Sequence, residues 1–164
     1  MEAAEPILYP EAVWRPLLDH SAYGRLEQRD LIVLHCTQGP TAEGAIATFE
    51  ASVHPNRVSA HFVIDRDGTV YQLLSIADTA WHASQVNSRS IGIEHAAMTG
   101  TLMATDAQYE ESAKLIAWLC KEMLMACDRE HIQGHNECSP RDGHTLCPTG
   151  ALNIDKVVGM AAAI

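Results

Sequence analysis

Leu31-Ile32-Val33-Leu34-His35-Cys36 constrains the fold more than any other stretch of this chain. A nearly unbroken apolar run of this length is the pattern of a strand buried on both faces, so layers of structure must cover it from either side. The run ends on a ligand-type side chain, which places His35 where the carboxyl end of a central strand opens onto a site. Cys36, one residue on, points the opposite way and inward.

The flanking segments supply the covering layers. Thr41 can cap a helix carrying Ala42, Ala45, Ile46 and Phe49 at helical spacing, ending before His54-Pro55-Asn56. Ala60 to Ile64 and Thr69 to Leu74 flank Asp67-Gly68, a pair that accepts positive φ, and so form a β-hairpin. In Ser90-Ile91-Gly92-Ile93-Glu94 the two isoleucines share one face, leaving Glu94 on the other with Ser90 and Gly92, where a carboxylate can face a cleft. Thr105-Asp106-Ala107-Gln108 has the form of a capping box and predicts a long helix. Its apolar stripe runs through Tyr109, Ala113, Ile116, Leu119, Cys120, Met123, Leu124 and Cys127, with Asp128 near the end. A short strand near Ile132 and a weak helix from Leu152 to Ile164 complete an α/β pattern, a central mixed sheet flanked by helices. Residues 1–30 show no periodicity and read as an irregular lead-in with one short helical turn. No linker or repeat divides the chain, so residues 1–164 are expected to form a single domain.

Charge excludes some functions. Eleven Lys plus Arg against 21 Asp plus Glu give a net charge of -10, which argues against nucleic acid and offers no basic patch for anionic lipid. No stretch approaches the ~20 apolar residues that a membrane-spanning helix needs, so membrane insertion is not expected. The acidic N-terminus has no signal-peptide pattern, which favours a cytoplasmic protein, or one released by lysis, over a secreted one.

Nine histidines and five cysteines are the more informative counts. The odd number of cysteines rules out a complete set of internal disulfides. Cys120 and Cys127 fall on one helical face and read as core thiols. The stretch from His131 to Gly150 is a polar turn region rich in metal-ligand types, holding His135, Cys138, His144 and Cys147 among Gly134, Pro140, Gly143, Pro148 and Gly150. Disulfide and metal readings compete there for Cys138 and Cys147. A catalytic zinc needs three protein ligands and an open position, so this loop needs a donor from elsewhere, and His35 is the best placed. Two strand-end histidines, a loop cysteine and a cleft-facing Glu94 fit a zinc hydrolase, with the carboxylate moving a proton for a metal-activated water. His20, His54, His95 and His131 read as surface residues.

Six ordered blocks carry a family resemblance: Ile32 to Thr37, Val58 to Val70, Ala80-Trp81-His82-Ala83, Asn87 to Glu94, Gly134-His135-Asn136-Glu137, and Cys147-Pro148. Over about residues 31–152 the chain resembles the zinc-dependent N-acetylmuramoyl-L-alanine amidases of the type 2 class. These include muropeptide-recycling amidases, phage lysins and animal peptidoglycan recognition proteins. The resemblance implies the type 2 amidase fold, one Zn2+ per chain held by His35, His135 and Cys147, and Glu94 as general base and acid. It implies an oxyanion-stabilising residue two before the third ligand, which is Thr145 by strict spacing, with His144 adjacent and chemically better suited. Trp81, His82 and His61 are expected to line the substrate groove, and Asn87 and Arg89 to meet a peptide carboxylate. A tyrosine that precedes the His61 position in the phage lysozyme branch is replaced here by Ala60, which puts the chain nearer the glutamate-using branch. The expected reaction is hydrolysis of the amide between N-acetylmuramic acid and L-alanine in peptidoglycan or muropeptides, by a monomer. The alternatives are a non-catalytic peptidoglycan-binding module and a zinc hydrolase of the same fold acting on another amide or ester.

Overall fold

The computed structural model describes residues 4–18, 21–139 and 145–164. Its strands are β1 (Val13–Trp14), β2 (Ala22–Arg25), β3 (Leu31–Cys36), β4 (Phe62–Ile64), β5 (Val70–Gln72), β6 (Asp78–Ala80), β7 (Ser90–His95) and β8 (Ile132–Gly134). The helices are α1 (Ala42–Ala51), α2 (Asp106–Glu122), the single turn α3 (His135–Cys138) and α4 (Ile154–Ala162), with a 3-10 segment at Ser84–Arg89. Six strands form one mixed sheet in the order β1-β5-β4-β7-β3-β8, and β2 pairs with β6 in a separate antiparallel ribbon. Only the β4–β5 hairpin is antiparallel within the large sheet.

Every residue of β3 is buried, as its composition requires. Alternation splits its side chains between two layers. Ile32 and Leu34 join Phe62, Ile64, Ile91, Ile93 and Ile132 in the main core, closed by Leu115, Ile116 and Leu119 of α2 and Val157 and Val158 of α4. On the opposite face α1 covers only the hairpin end of the sheet, through Ile46 and Phe49 packed near Val63 and Leu73. Over β7, β3 and β8 that face has no long helix among the described residues, and a chain segment around Ala83 and Val86 packs on Leu31 and Val33 instead. The side chains further along those strands therefore face a cleft.

Caps fix the helices where the sequence places them. Thr41 Oγ1 accepts from Gly44 N at 3.1 Å, and the Thr105 box closes with Gln108 N to Thr105 Oγ1 at 3.1 Å and Thr105 N to Gln108 Oε1 at 2.9 Å. Gly68 turns the hairpin at φ +92°.

Two expectations need correction. The lead-in is not irregular: it holds strands β1 and β2 beside a short 3-10 turn at Ser21, whose N donates to Leu18 O at 2.8 Å. Both strands are short and largely exposed and depend on pairing with β5 and β6, so they have no periodicity of their own to be read. Helix α2 stops at Glu122, and Leu124, expected on the apolar stripe, adopts φ +54° and is 94% exposed. Among the described residues no helix is long and apolar enough to cross a membrane.

Candidate active site

Three elements converge at the open end of the sheet. The end of β3 carries His35, the first residue after β8 is His135, and the loop leading to α4 returns Cys147. One ligand atom from each lies within 4.8 Å of the others. Cys147 Sγ is 4.0 Å from His35 Nδ1, close to the roughly 3.6 Å separation that tetrahedral zinc imposes on a sulfur at ~2.3 Å and a nitrogen at ~2.1 Å.

The backbone holds these donors in place. Asn136 N donates to Cys147 O at 2.9 Å, which couples the two halves of the loop region. Glu137 accepts from Gly134 N at 2.7 Å and from Arg129 Nη2 at 2.6 Å, fixing the turn that presents His135. Cys36 N donates to Cys147 Sγ at 3.2 Å, a contact that favours sulfur as thiolate.

The donor set fits a metal ion electrostatically as well. His35 is 2% exposed, and burial, reinforced by the neighbouring His82, His135 and His95, holds its pKa well below the ordinary 6.5. It is neutral, the form that coordinates. The hydrogen bond with Cys36, burial and the Glu94 charge push the Cys147 thiol up, so a cation would have to displace its proton. Among the described residues no disulfide joins Cys138 to Cys147, and Cys36 Sγ stands 3.9 Å from Cys147 Sγ without a bond.

Glu94 faces the same cleft, since it is the register partner of His35 across the β3–β7 ladder. Its Oε2 is buried with no hydrogen-bond partner among the described residues. Burial, with the Cys36 charge adding to it, raises the carboxyl to about 8. An unsatisfied buried carboxylate oxygen beside a cluster of metal-ligand atoms is suited to receiving a proton or a substrate group. Thr145 Oγ1 accepts from Cys147 N at 3.2 Å, at the edge of the group. His144 lies outside the described residues.

The residues expected to bind substrate divide. Trp81 stacks against Tyr23 with centroids 3.9 Å apart, and the two line a cleft of about 470 Å³ together with Arg57, His82, Asn87 and His135. Tyr23 and Arg57 carried no signal in the sequence because neither sits in a chemically patterned stretch. A second cleft, about 260 Å³, is bounded by Cys36, Gln38, Thr41, Thr48, Phe49 and Glu94.

His61 and Arg89 are placed otherwise than expected, whereas Asn87 lines the cleft and also braces its loop. His61 is fully buried, with Nδ1 accepting from Gly92 N at 3.0 Å and Nε2 2.8 Å from Asp78 O, so both ring nitrogens are taken up by backbone. The Asn87 oxygen accepts from His82 N and Ala83 N at 3.1 and 2.7 Å and shapes the loop. Arg89 precedes β7, at the end remote from Glu94, and forms a forked ion pair with Asp30 at 2.7 and 2.9 Å. His82 touches His35 from behind, Nδ1 to Nε2 at 3.0 Å. His95, read as a surface residue, is fully buried between His35 O and Ser112 Oγ, at 3.0 and 2.9 Å. His131 is half-buried and 2.7 Å from Asp128, His54 is exposed, and His20 lies outside the described residues.

Comparison with known proteins agrees with this fold. N-acetylmuramoyl-L-alanine amidase A of Achromobacter lyticus is 32% identical over 124 residues, 73% of this chain and 67% of that protein. The 1,6-anhydro-N-acetylmuramyl-L-alanine amidase AmpD of Salmonella typhimurium strain SL1344 is 31% identical over 137 residues, 70% of this chain and 72% of that protein. The crystal structure of a selenomethionine AmpD derivative superposes with a TM-score of 0.75 at 26% identity, covering 93% of this chain and 96% of that one. The model of the N-acetylmuramoyl-L-alanine amidase family, Amidase_2, matches residues 25–150, and this chain belongs to that family.

Proposed function

We propose that this chain is a zinc-dependent hydrolase that cleaves the amide between the lactyl group of N-acetylmuramic acid and L-alanine in peptidoglycan or muropeptides. The observation that carries the reading is the grouping of His35, His135 and Cys147 within 4.8 Å, with Glu94 opposite His35, in a member of the amidase family. Two imidazoles and one thiolate suit zinc and leave a coordination position open, the pattern of catalytic rather than structural sites. Bound there, zinc would polarise the scissile carbonyl and lower the pKa of a water toward ~7.

The protein's own groups do the rest. Glu94 takes the proton of the attacking water and delivers it to the departing amine of L-alanine. Its buried oxygen without a partner supports that role, because nothing else competes for the lone pair. Thr145 or His144 steadies the developing oxyanion, with Thr145 already oriented by its bond from Cys147 N. The two clefts, one walled by Tyr23 and Trp81 and one by Gln38 and Phe49, give the two sides of the bond separate places to lie. Residues 1–164 act as one catalytic unit, and β1 and β2 support this by pairing with β5 and β6 inside the region matched by the family.

The test is incubation of the purified chain with muropeptides and with intact peptidoglycan, scoring peptides with a newly freed N-terminal L-alanine. Metal content is measured before and after chelation. About one zinc per chain, with cleavage lost on chelation and restored by zinc, is expected. Zinc bound without cleavage of either substrate would overturn the assigned amide.

A further inference from the structure

The cleft-facing side of β7 presents Ser90, Gly92 and Glu94 at every second residue, and the first two act on His82. Ser90 Oγ donates to Val86 O at 2.7 Å and lies 3.1 Å from His82 Nε2. A hydroxyl has one proton, and this one is committed to the Val86 carbonyl, so toward His82 the oxygen can only accept. His82 Nε2 therefore carries the hydrogen, and in the neutral ring Nδ1 is left as the acceptor. His82 Nδ1 is 3.0 Å from His35 Nε2, which must then be the donor. The lone pair of His35 is left on Nδ1, the nitrogen facing Cys147 Sγ at 4.0 Å.

The surroundings are shaped to hold His82 in this relay. A Cβ added to Gly92 would lie 2.7 Å from His82 Cγ and Nδ1, so only glycine lets the ring rest against the strand. The backbone of His82 is fixed from the other side by Asn87 Oδ1.

We propose that His82, held by Ser90, is a positioning residue that sets the tautomer and ring orientation of His35 and so prepares Nδ1 for a metal ion. This rests on the reading of His35 as a ligand. It gives His82, which lines the cleft beside Trp81, a second task in supporting the metal-binding group. Partners of this kind typically alter metal affinity by 10- to 100-fold.

Zinc affinity by competition with a chromophoric chelator tests the idea without relying on activity. His82→Phe keeps the ring volume but removes the acceptor, and a 10- to 100-fold weaker affinity is expected. His82→Asn places an amide oxygen near the position of Nδ1 and should stay within about threefold of the unaltered protein. Ser90→Ala releases the far end of the relay and should fall between them. A role in packing alone would leave the Phe variant, which keeps the ring volume, binding as tightly as the unaltered protein while the smaller Asn lost affinity, and that result overturns the proposal. His35→Ala serves as the control for the underlying reading. If it still binds zinc with full affinity, the ligand assignment fails, whereas undiminished binding by His82→Phe alone sinks only the relay. Nitrogen-15 spectra of the unaltered protein loaded with zinc give an answer that needs no variant to fold. His35 should show its ring proton on Nε2, and a proton on Nδ1 would rule the relay out.

Discussion

His35 and Glu94 face each other as register partners in the parallel ladder between β3 and β7, and alternation turns both toward the cleft. The pairing sets a neutral imidazole beside a carboxyl raised to about 8, with the carboxylate outside the metal-ligand group. Glu94→Gln keeps the shape and removes the proton acceptor. Zinc content should remain about one per chain and thermal stability should not fall, because a buried ionisable group has been replaced by a neutral one. Turnover should drop by about 10²- to 10⁴-fold. Stem-peptide release at the unaltered rate would remove Glu94 from the mechanism.

Cys147 is buried and its thiol is pushed up in the absence of a cation, so metal uptake must expel a proton. Calorimetric titration of the apoprotein with zinc, repeated in buffers of different ionisation enthalpy, should report about one proton released per ion near neutral pH. Cys147→Ala should release none and bind far more weakly. Cys147→Asp, which keeps an anionic donor, should recover part of the affinity. Proton release unchanged in Cys147→Ala would mean that the sulfur is not a ligand.

Stability should also depend on pH through histidines outside the ligand set. Burial lowers His61 and His95 to about 4 from an ordinary 6.5. Between these values the unfolded chain binds more protons than the folded one, so stability rises with pH. The contribution is fully present above about 6.5, is lost progressively as pH falls toward 4, and is constant below that. At 1.36 kcal/mol per pH unit each histidine accounts for up to about 3 kcal/mol. Urea midpoints should therefore be distinctly lower at pH 5 than at pH 7.5, and His61→Asn should flatten that dependence. Equal midpoints at both pH values would show that neither ring is held neutral in the fold.

Local signals made much of this architecture legible. The unbroken apolar run of β3, the Thr41 and Thr105 caps and the Asp67-Gly68 turn are interactions within a few residues of each other, and each appears where the sequence places it. Elements that depend on distant partners were opaque. β1 is two residues long, with Val13 50% and Trp14 39% exposed, and exists only because β5 is beside it. The end of α2 turns on a positive φ at Leu124, which no residue type announces. In the candidate site, the grouping of His35, His135 and Cys147 followed from the family resemblance together with strand-end placement. The histidines around it did not sort so cleanly. His61, His82 and His95 are all ligand-type residues near a strand, and only their partners, Gly92 and Asp78, Ser90 and His35, or Ser112, distinguish support from substrate contact.

Gly134 joins fold and site at a single position. It ends β8 immediately before His135, and a Cβ there would meet Asn136 Oδ1 at 2.6 Å, Ile154 Cδ1 at 2.7 Å and Pro148 Cδ at 3.0 Å. Its φ of -79° is ordinary, so the requirement for glycine is steric and comes from close packing, not from backbone conformation. Asn136 and Ile154 can shift as side chains, but Pro148 is a rigid ring bonded to Cys147. Gly134→Ala should cost about 1–3 kcal/mol by overpacking. Because the displaced ring follows Cys147 and the substituted residue precedes His135, the separation of two metal-ligand groups changes too. The variant should therefore bind zinc more weakly than its loss of stability alone would explain. The comparison is with Thr105→Ala, a helix-cap variant outside the three-ligand group, which should cost about 1 kcal/mol and leave zinc affinity unchanged. Equal zinc affinity in the two variants would show that Pro148 can give way without carrying Cys147 with it.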